Sequence, residues 1–351
     1  MRKLKIGYWP LSKTLAAPGD RRRLIFWAEA RGHTVVQDLT QKVDVLVASE
    51  NSDFNSETFS NTEVPIVFDL IDAYLSPNSP QEDFARGVAK KLSGQLTGEF
   101  KLFSQHIKDF CLKADAVICS STEQENLISV FNKNVHVILD SHDEIPIVDV
   151  TSRSVPDYGR IQLLWEGQPA TITGIREISQ VIMGLSKNQD LAIDFITDVY
   201  YFEFLNRYFK KETFRLIGKD LRKLEDSIRI VPWSLRNLLN SAEKSTLSVI
   251  PIDLTIPIMN LKPENRLLIM WRLGLPCLTS ASPSYMRVAE AAGVNAICDD
   301  EVAWKTKIEI ISKDSMYARN EVLKGQDYLR ENHNKRILLE KWDRVFESVI
   351  S

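Results

Sequence analysis

Short runs of apolar and β-branched residues alternate with segments of helical spacing, and this alternation constrains the fold more strongly than any other feature. In the first half it predicts three helices, at 21–32, at 84–113 and from Thr122 onward. Asp20 is the predicted N-cap of the first helix and Gly32 its end, and Thr122 forms a capping box with Glu125. Strands are predicted between them at 4–9, 33–39, 43–49, 65–72, 113–121 and 134–141. Strands separated by helices favour a parallel sheet covered on both faces, so the fold class is α/β.

The same alternation restarts after a segment rich in acids, Ser, Thr and Pro at 142–159, where we place a domain boundary. Helices are predicted at 264–273, 284–293 and near the C-terminus. Strands are predicted at 160–167, 191–198, 213–218, 228–233, 246–253, 276–280 and 295–299. The sequence therefore predicts two doubly wound domains in tandem, whose ligands bind at the carboxyl ends of the strands in a cleft between them.

Composition agrees with two domains and excludes several functions. The chain has 351 residues, which at roughly 150 residues per domain corresponds to about two. Its 44 basic residues against 47 acidic ones give a net charge of −3, which argues against nucleic-acid binding through phosphates.

Cysteine usage and hydropathy indicate the compartment. None of the four cysteines has a partner at zinc-ligand spacing, and three lie in apolar runs, which predicts buried thiols in a reducing compartment. The N-terminus lacks the apolar region of a secretory signal, and no apolar run reaches membrane-spanning length. We therefore expect a cytoplasmic protein.

Three segments resemble one known family. The run from Asn265 through Gly274 to Ser280, after Lys262-Pro263-Glu264, resembles the nucleotide-binding helix of GT-B glycosyltransferases, which ends in a Gly-x-Pro turn and feeds a strand. The stretch 114–125 is similar to the family's last N-domain strand and its following helix, and 164–168 to the strand that opens its second domain.

The resemblance implies two tandem Rossmann-like domains facing a central cleft, with an acceptor domain at 1–145, a nucleotide-sugar domain at 160–330 and a C-terminal helix at 331–351 that crosses back to the first domain. It also implies metal-independent transfer of a sugar from a nucleotide-activated donor to a hydroxyl of a glycan or lipid-linked acceptor, as in polysaccharide biosynthesis, without a cofactor. Epimerases and phosphotransferases share this architecture, and a non-catalytic GT-B subunit that binds a sugar or a partner is the main alternative.

Retaining members of this family bind the donor with a set of polar residues, and this sequence has other residues at the corresponding positions. An Arg and a Lys after the second domain's first strand correspond to Gln168 and Thr173, and a glutamate pair corresponds to Lys262 and Ile269. Either the donor is held differently, or the protein does not transfer sugar.

Other residues are candidates for the donor site. Lys262, Asn265 and Arg266 surround a predicted helix N-terminus, which favours an anion, although a capped and solvated helix start is the alternative. The remaining donor candidates lie at or just beyond predicted strand ends: Gly167, Gln168, Lys219, Ser280, Ser282 and Tyr285. The alternative for Lys219 is an ordinary surface lysine. The alternative for the segment Ser280–Tyr285 is a turn that binds no ligand.

The first domain carries the acceptor candidates. Arg21, Arg22 and Arg23 follow the first strand, where the family's loop approaches phosphate and acceptor; one or two of them can face a ligand, because neighbours on a helix point about 100° apart. Asp72 is the preferred general base and Asp69 the second choice, with a turn-capping aspartate as the alternative. Basic and aromatic residues in 84–113 are typical either of peripheral membrane association or of a helix packed on the sheet.

Overall fold

The computed structural model describes residues 2–60, 62–76, 80–151, 160–203 and 209–350, so part of the predicted linker, 152–159, lies outside the described residues. The chain forms two compact units. Unit 1 comprises Met1–His142, Asn260–Pro263 and Asn334–Ser351, and unit 2 comprises Asp143–Met259 and Glu264–His333.

Unit 1 contains a sheet of six parallel strands, in the order β2-β1-β3-β4-β5-β6. The strands are β1 (Lys5–Trp9), β2 (Thr34–Val36), β3 (Val45–Ser49), β4 (Ile66–Asp69), β5 (Ala116–Cys119) and β6 (Val135–Val137). All six predicted strands of the first half are confirmed. The order reverses between β1 and β3, and this switch point is where open α/β sheets bind ligands.

Helices connect the strands of unit 1: α1 (Pro18–Arg21), α2 (Leu24–Arg31), α3 (Glu57–Ser60), α4 (Pro80–Leu92), α5 (Phe103–Lys113) and α6 (Thr122–Ile128). The predicted segment 84–113 is thus two helices. Two predicted caps are wrong. Asp20 lies within α1, where its carboxylate accepts hydrogen bonds from the Tyr8 hydroxyl at 2.7 Å and the Leu11 N–H at 2.8 Å. Ser121, one residue before Thr122, caps α6 by accepting the N–H of Gln124.

Unit 2 contains a second parallel sheet, in the order β11-β8-β7-β12-β13-β14, with its reversal between β7 and β12. The strands are β7 (Arg160–Glu166), β8 (Asp190–Ile196), β11 (Ile228–Val231), β12 (Leu247–Ile250), β13 (Cys277–Ser280) and β14 (Ile297–Cys298). An antiparallel hairpin, β9 (Tyr200–Glu203) and β10 (Phe209–Glu212), lies between β8 and β11 in sequence and was not predicted.

The predicted strand at 213–218 is wrong, because Thr213–Ile217 is a 3₁₀ helix that buries Thr213 and Ile217, four residues apart. Other 3₁₀ helices span Pro169–Ile178, Leu221–Ser227 and Pro257–Leu261. The α-helices of unit 2 are α7 (Ser179–Ser186), α8 (Leu235–Lys244), α9 (Asn265–Arg272), α10 (Pro283–Ala292), α11 (Glu301–Lys313) and α12 (Ser315–Asn332).

The C-terminal helix α13 (Lys335–Val349) packs within unit 1. Trp342, Val345 and Phe346 form one buried face of this helix, as their spacing predicts. Phe346 stacks on Trp27 of α2 with 4.1 Å between ring centroids, and Asp343 accepts the indole N–H of Trp27 at 2.8 Å. The last helix therefore completes the core of unit 1.

Candidate functional site

The chain leaves β7 of unit 2 at Gly167, which lies at the switch point of that sheet. Gly167 has φ +156°, and a Cβ at this position would lie 3.0 Å from the Trp165 ring and 3.3 Å from Nη1 of Arg266. Any other residue would be strained and would press on the guanidinium. Glycine therefore keeps the backbone close to the start of α9.

Arg266, the second residue of α9, lies close to three groups of unit 2. Its Nη1 donates to the carbonyl oxygen of Glu166 at 3.3 Å, and its guanidinium carbon lies 5.8 Å from the centroid of the Trp165 ring. Its charge also acts on the buried Tyr285 hydroxyl, whose pKa is raised to about 12, mainly by burial and against the opposing effect of Arg266. The predicted donor residues Gly167, Arg266 and Tyr285 thus come together.

Two buried hydroxyl groups follow the carboxyl ends of unit 2 strands. Thr197 follows β8 and Ser282 follows β13, and both side chains are fully buried. Within the described residues, neither hydroxyl has a hydrogen-bond partner, and neither does the amide oxygen Oδ1 of Asn265. Buried polar atoms in folded proteins are almost always paired with protein, ordered water or ligand, so these three atoms are candidate contacts for a bound polar group.

The other donor candidates have different surroundings. Oγ of Ser280 is buried and accepts the N–H of Ile252 at 2.8 Å, which is a structural role. Gln168 and Lys219 are exposed. Ile269 and Thr173 stand where the family has donor-binding polar residues. Ile269 is buried in the core, and the Thr173 hydroxyl lies 3.5 Å from the Ala170 carbonyl oxygen.

Lys262 belongs to unit 1, whereas Arg266 belongs to unit 2, although the sequence suggested a shared role. Nζ of Lys262 forms a short ion pair with Oδ1 of Asp72, and the carbonyl of Leu261 accepts the Ser121 hydroxyl at 2.8 Å. The two paired side chains are partly exposed, 29% for Lys262 and 36% for Asp72. Asp72, the predicted base, is therefore accessible and has a cation as its partner.

Glu50 is a site residue that sequence reasoning missed. It follows β3 at the switch point of the first sheet, and its Oε2 accepts the N–H groups of Ile71 at 3.2 Å and Asp72 at 3.0 Å. Its pKa is raised to about 7, mainly by burial and also by the charge of Asp72, while the N–H of Asp72 and the cations Lys90 and Lys262 act in the opposite direction. An acid directly after an apolar strand at a switch point is the signal that would have found it.

Lys90 of α4 approaches the same cluster. Its Nζ donates to Oδ1 of Asn51 at 3.1 Å and to the carbonyl oxygen of Glu50 at 3.3 Å, and it lies 4.5 Å from the centroid of the Phe103 ring. Burial lowers its pKa to about 8, opposed by the charge of Glu50. Unit 1 therefore gathers two acids and two lysines behind the ends of β3 and β4.

The predicted residues Arg23 and Asp69 form a buried ion pair instead of an open site. Arg23 is fully buried; its Nε and Nη2 donate to Asp69, and its Nη1 to the carbonyl of Ile138 and to Asp140. Burial raises the pKa of Asp69, and Arg23 opposes the shift. Arg22 is also buried and Arg21 partly exposed, so Arg21 is the most accessible of the three arginines.

The described residues offer neither a metal site nor a membrane-spanning helix. In the described ranges no group of three or more His, Cys, Asp or Glu side chains is placed to hold a metal ion. The four cysteines are free and buried, as predicted. Among the described helices, none has the length and apolar character needed to cross a bilayer.

Comparison with solved structures decides the fold. The chain is similar to Anabaena HepE in complex with UDP and glucose, with 11% identity over 98% of this chain and 100% of that one, and a TM-score of 0.62. The protein has the GT-B fold. A second similar structure is WaaG, a glycosyltransferase involved in lipopolysaccharide biosynthesis, with 10% identity over 99% of this chain and 100% of that one, and a TM-score of 0.57.

TarM matches over a shorter part of its own length. Its identity is 12% over 86% of this chain with a TM-score of 0.59, and the match spans 54% of TarM. No protein-family model and no curated protein matches the sequence. At these identities the likeness establishes the fold, and it confirms the two Rossmann-like units that the sequence predicts.

Proposed function

We propose that this protein is a glycosyltransferase that moves a sugar from a nucleotide-activated donor to a hydroxyl of a glycan or lipid-linked acceptor without a metal. One observation carries the proposal: the switch point of unit 2 combines a glycine, a fixed arginine and buried hydroxyls that have no hydrogen-bond partner among the described residues. Solved structures of the same fold include HepE with UDP and glucose, and the pneumococcal O-GlcNAc transferase GtfA with UDP and GlcNAc.

Arg266 is the proposed group that binds the donor's phosphates. The guanidinium is permanently charged, and its contacts with the Glu166 carbonyl and the Trp165 ring fix its direction before a ligand arrives. A fixed cation near a leaving diphosphate stabilises the charge that develops there. Asn265 and Ser282 are proposed donor contacts because Oδ1 and Oγ lack partners within the described residues. Lys262 is not retained as a donor contact, since it pairs with Asp72 in unit 1.

Asp72 is the proposed base on the acceptor side. Its side chain is 36% exposed, whereas Asp69 is 1% exposed and paired with Arg23, so only Asp72 is open to an acceptor hydroxyl. Glu50 positions Asp72 by accepting the N–H groups of the loop that carries it. The paired Lys262 would hold the carboxylate in place as the hydroxyl approaches.

Peripheral association with the inner face of a membrane is part of the proposal. Phe84 and Leu92 of α4, and Phe100 and Leu102 before α5, are exposed. Large exposed apolar side chains beside lysines are typical of surfaces that bind anionic membranes. The free, buried cysteines agree with a cytoplasmic location. Co-sedimentation with vesicles containing anionic lipid, compared between the wild type and Phe84→Ser with Leu92→Ser, tests this association.

The test of the function is a panel of nucleotide sugars added to the purified chain, with and without EDTA. A ligand at about 100 times its dissociation constant stabilises the folded state by about 2.7 kcal/mol, which raises the melting temperature measurably. We expect one donor to stabilise the protein equally in EDTA, and that donor to be consumed when an acceptor extract is supplied. If no nucleotide or nucleotide sugar shifts the melting temperature, the non-catalytic GT-B subunit replaces this proposal.

A further inference from the structure

Arg86 of α4 is a partly buried cation, and one nitrogen of its guanidinium is not paired by any described residue. Its guanidinium carbon lies 4.9 Å from the centroid of the Tyr74 ring. Its Nη1 is buried and has no hydrogen-bond partner within the described residues. A buried donor on a charged group costs free energy when it has no acceptor, so this nitrogen is expected to serve an oxyanion that binds here.

The cations around Arg86 converge on one end of the unit 1 sheet. Lys90 lies one helical turn after Arg86, on the same face of α4. The Tyr74 hydroxyl lies 3.4 Å from Oδ2 of Asp72, whose other oxygen pairs with Lys262. Tyr74 thus links the guanidinium to the cluster of Glu50, Asp72, Lys90 and Lys262.

The charge of this cluster depends on Glu50. The cluster contains three cations, Arg86, Lys90 and Lys262, and two carboxylates, those of Glu50 and Asp72. Burial raises the pKa of Glu50 to about 7, with Asp72 acting in the same direction and Lys90 and Lys262 against it. Burial, and then the charges of Glu50 and Asp72, raise the pKa of Tyr74, so its hydroxyl remains neutral. When Glu50 takes up a proton, the positive charge left for a ligand increases.

We propose that Arg86 and Lys90 form an anion site in unit 1 that binds a phosphate group of the acceptor. The inference rests on the proposed function and gives the class of its acceptor, a hydroxyl compound that carries a phosphate. A guanidinium beside an aromatic ring presents paired N–H groups to two oxygens of such a group, and a nearby ammonium adds charge. The site belongs to unit 1 and is separate from the donor contacts proposed in unit 2.

The experiment titrates the full-length chain with dimethyl phosphate, whose single charge does not change between pH 6 and pH 8. Binding is followed by NMR at constant ionic strength through the arginine Nε–H signals, with acetate as the competing probe. We expect saturable binding of dimethyl phosphate that is tighter at pH 6 than at pH 8. Arg86→Ala should weaken it about tenfold or more, the scale of one charge-assisted hydrogen bond. Arg215→Ala, which removes an exposed arginine of unit 2, is the matched control and should change nothing.

A second variant keeps the proposal testable if Arg86→Ala does not fold. Glu50→Gln preserves an oxygen for the N–H groups of Ile71 and Asp72 but stays uncharged. It should narrow the difference in affinity between pH 6 and pH 8 to the part that comes from Lys90, whose pKa burial lowers to about 8. The proposal is overturned if binding is not saturable, if Arg86→Ala and Arg215→Ala have equal effects, if Glu50→Gln leaves the pH dependence unchanged, or if acetate binds more tightly than the phosphate.

Nucleotide titrations on the same samples separate this proposal from the function. Arg266→Ala should lose nucleotide affinity and keep dimethyl phosphate binding. If the wild type binds dimethyl phosphate through Arg86 but binds no nucleotide, the glycosyltransferase proposal fails while the anion site stands.

Discussion

The carboxylate of Glu50 accepts the backbone N–H of Asp72 at 3.0 Å, so a buried acid after β3 fixes the loop that carries the proposed base. The same oxygen accepts the N–H of Ile71 at 3.2 Å. The position of Asp72 therefore depends on a residue outside its own strand, and the charge of that residue changes near neutral pH because burial raises the pKa of Glu50 to about 7.

Glu50 is expected to make the protein less stable as the pH rises. Its pKa in the folded state, about 7, lies above the ordinary value of 4.5, so the folded state holds the proton more strongly. Its contribution is fully present below about pH 4.5 and is lost as the pH rises through 7; the change is at most about 3 kcal/mol. Urea unfolding of Glu50→Gln between pH 5 and pH 8 should show a smaller decline than the wild type. Parallel curves for the two proteins would contradict the assignment.

Replacement of Asp72 by Asn should lower sugar transfer by about 10²–10⁴-fold, the usual effect of losing a general base. The amide keeps the shape of the side chain but does not take the proton. Nucleotide affinity should stay unchanged, because the proposed donor contacts lie in unit 2. The measurements are initial rates and donor titrations on the same preparation. Unchanged transfer with a lower melting temperature would make Asp72 a structural residue.

Replacement of Asp69 by Asn should act on stability. It would leave the fully buried guanidinium of Arg23 without its main counter-charge, and breaking a buried ion pair costs about 3–5 kcal/mol. Asp220→Asn, which removes an exposed partner of Lys223, is the control and should leave the unfolding midpoint nearly unchanged, because exposed ion pairs contribute little to stability. Denaturant unfolding measures both. A fully stable Asp69→Asn protein that has lost transfer would return the catalytic role to Asp69.

Arg266→Ala should weaken nucleotide binding by about 10- to 100-fold, the range of charge-assisted hydrogen bonds. Arg236→Ala, which replaces another arginine of unit 2 in helix α8, should bind like the wild type. Calorimetric titration with the nucleotide found in the panel gives both affinities. Equal affinities of the two variants would exclude Arg266 from the donor site.

The sequence predicted the sheets well because each buried strand is a short apolar run bounded by polar residues or Pro. It failed at 213–218, where alternating Phe214 and Leu216 suggested a strand. Burial there follows Thr213 and Ile217 instead, and the Leu216 carbonyl accepts the Arg176 guanidinium. A few residues of alternation do not distinguish a strand from a helical turn.

The site was less predictable, because its contacts join residues that are distant in sequence. Arg23 is buried with Asp69 and Asp140, which lie 46 and 117 positions away in the sequence. Because these partners are so distant, the three consecutive arginines suggested an exposed, ligand-facing segment instead of a buried ion pair. Lys262 and Arg266 are close in sequence but belong to different units. Arg266 with Tyr285 was the easier part, since both lie near strand ends at one switch point.

Two glycine-to-alanine changes in helices of unit 2 should have effects of opposite sign. At Gly325 of α12, a Cβ would lie 2.4 Å from the ring of the buried Trp271 in α9. At Gly184 of α7, no described atom lies within 4 Å of the added Cβ. Gly184→Ala should therefore stabilise the protein by about 0.4–1 kcal/mol, because alanine loses less backbone entropy in a helix.

Gly325→Ala should destabilise the protein by about 1–3 kcal/mol, because a well-packed core does not accept an extra methyl group. The strain falls on α9, the helix that carries Arg266, so nucleotide affinity should fall in Gly325→Ala and remain unchanged in Gly184→Ala. Urea unfolding and nucleotide titration of both variants test the two effects separately. If Gly325→Ala were less stable but bound nucleotide like the wild type, the packing of α12 on α9 would have no part in positioning Arg266.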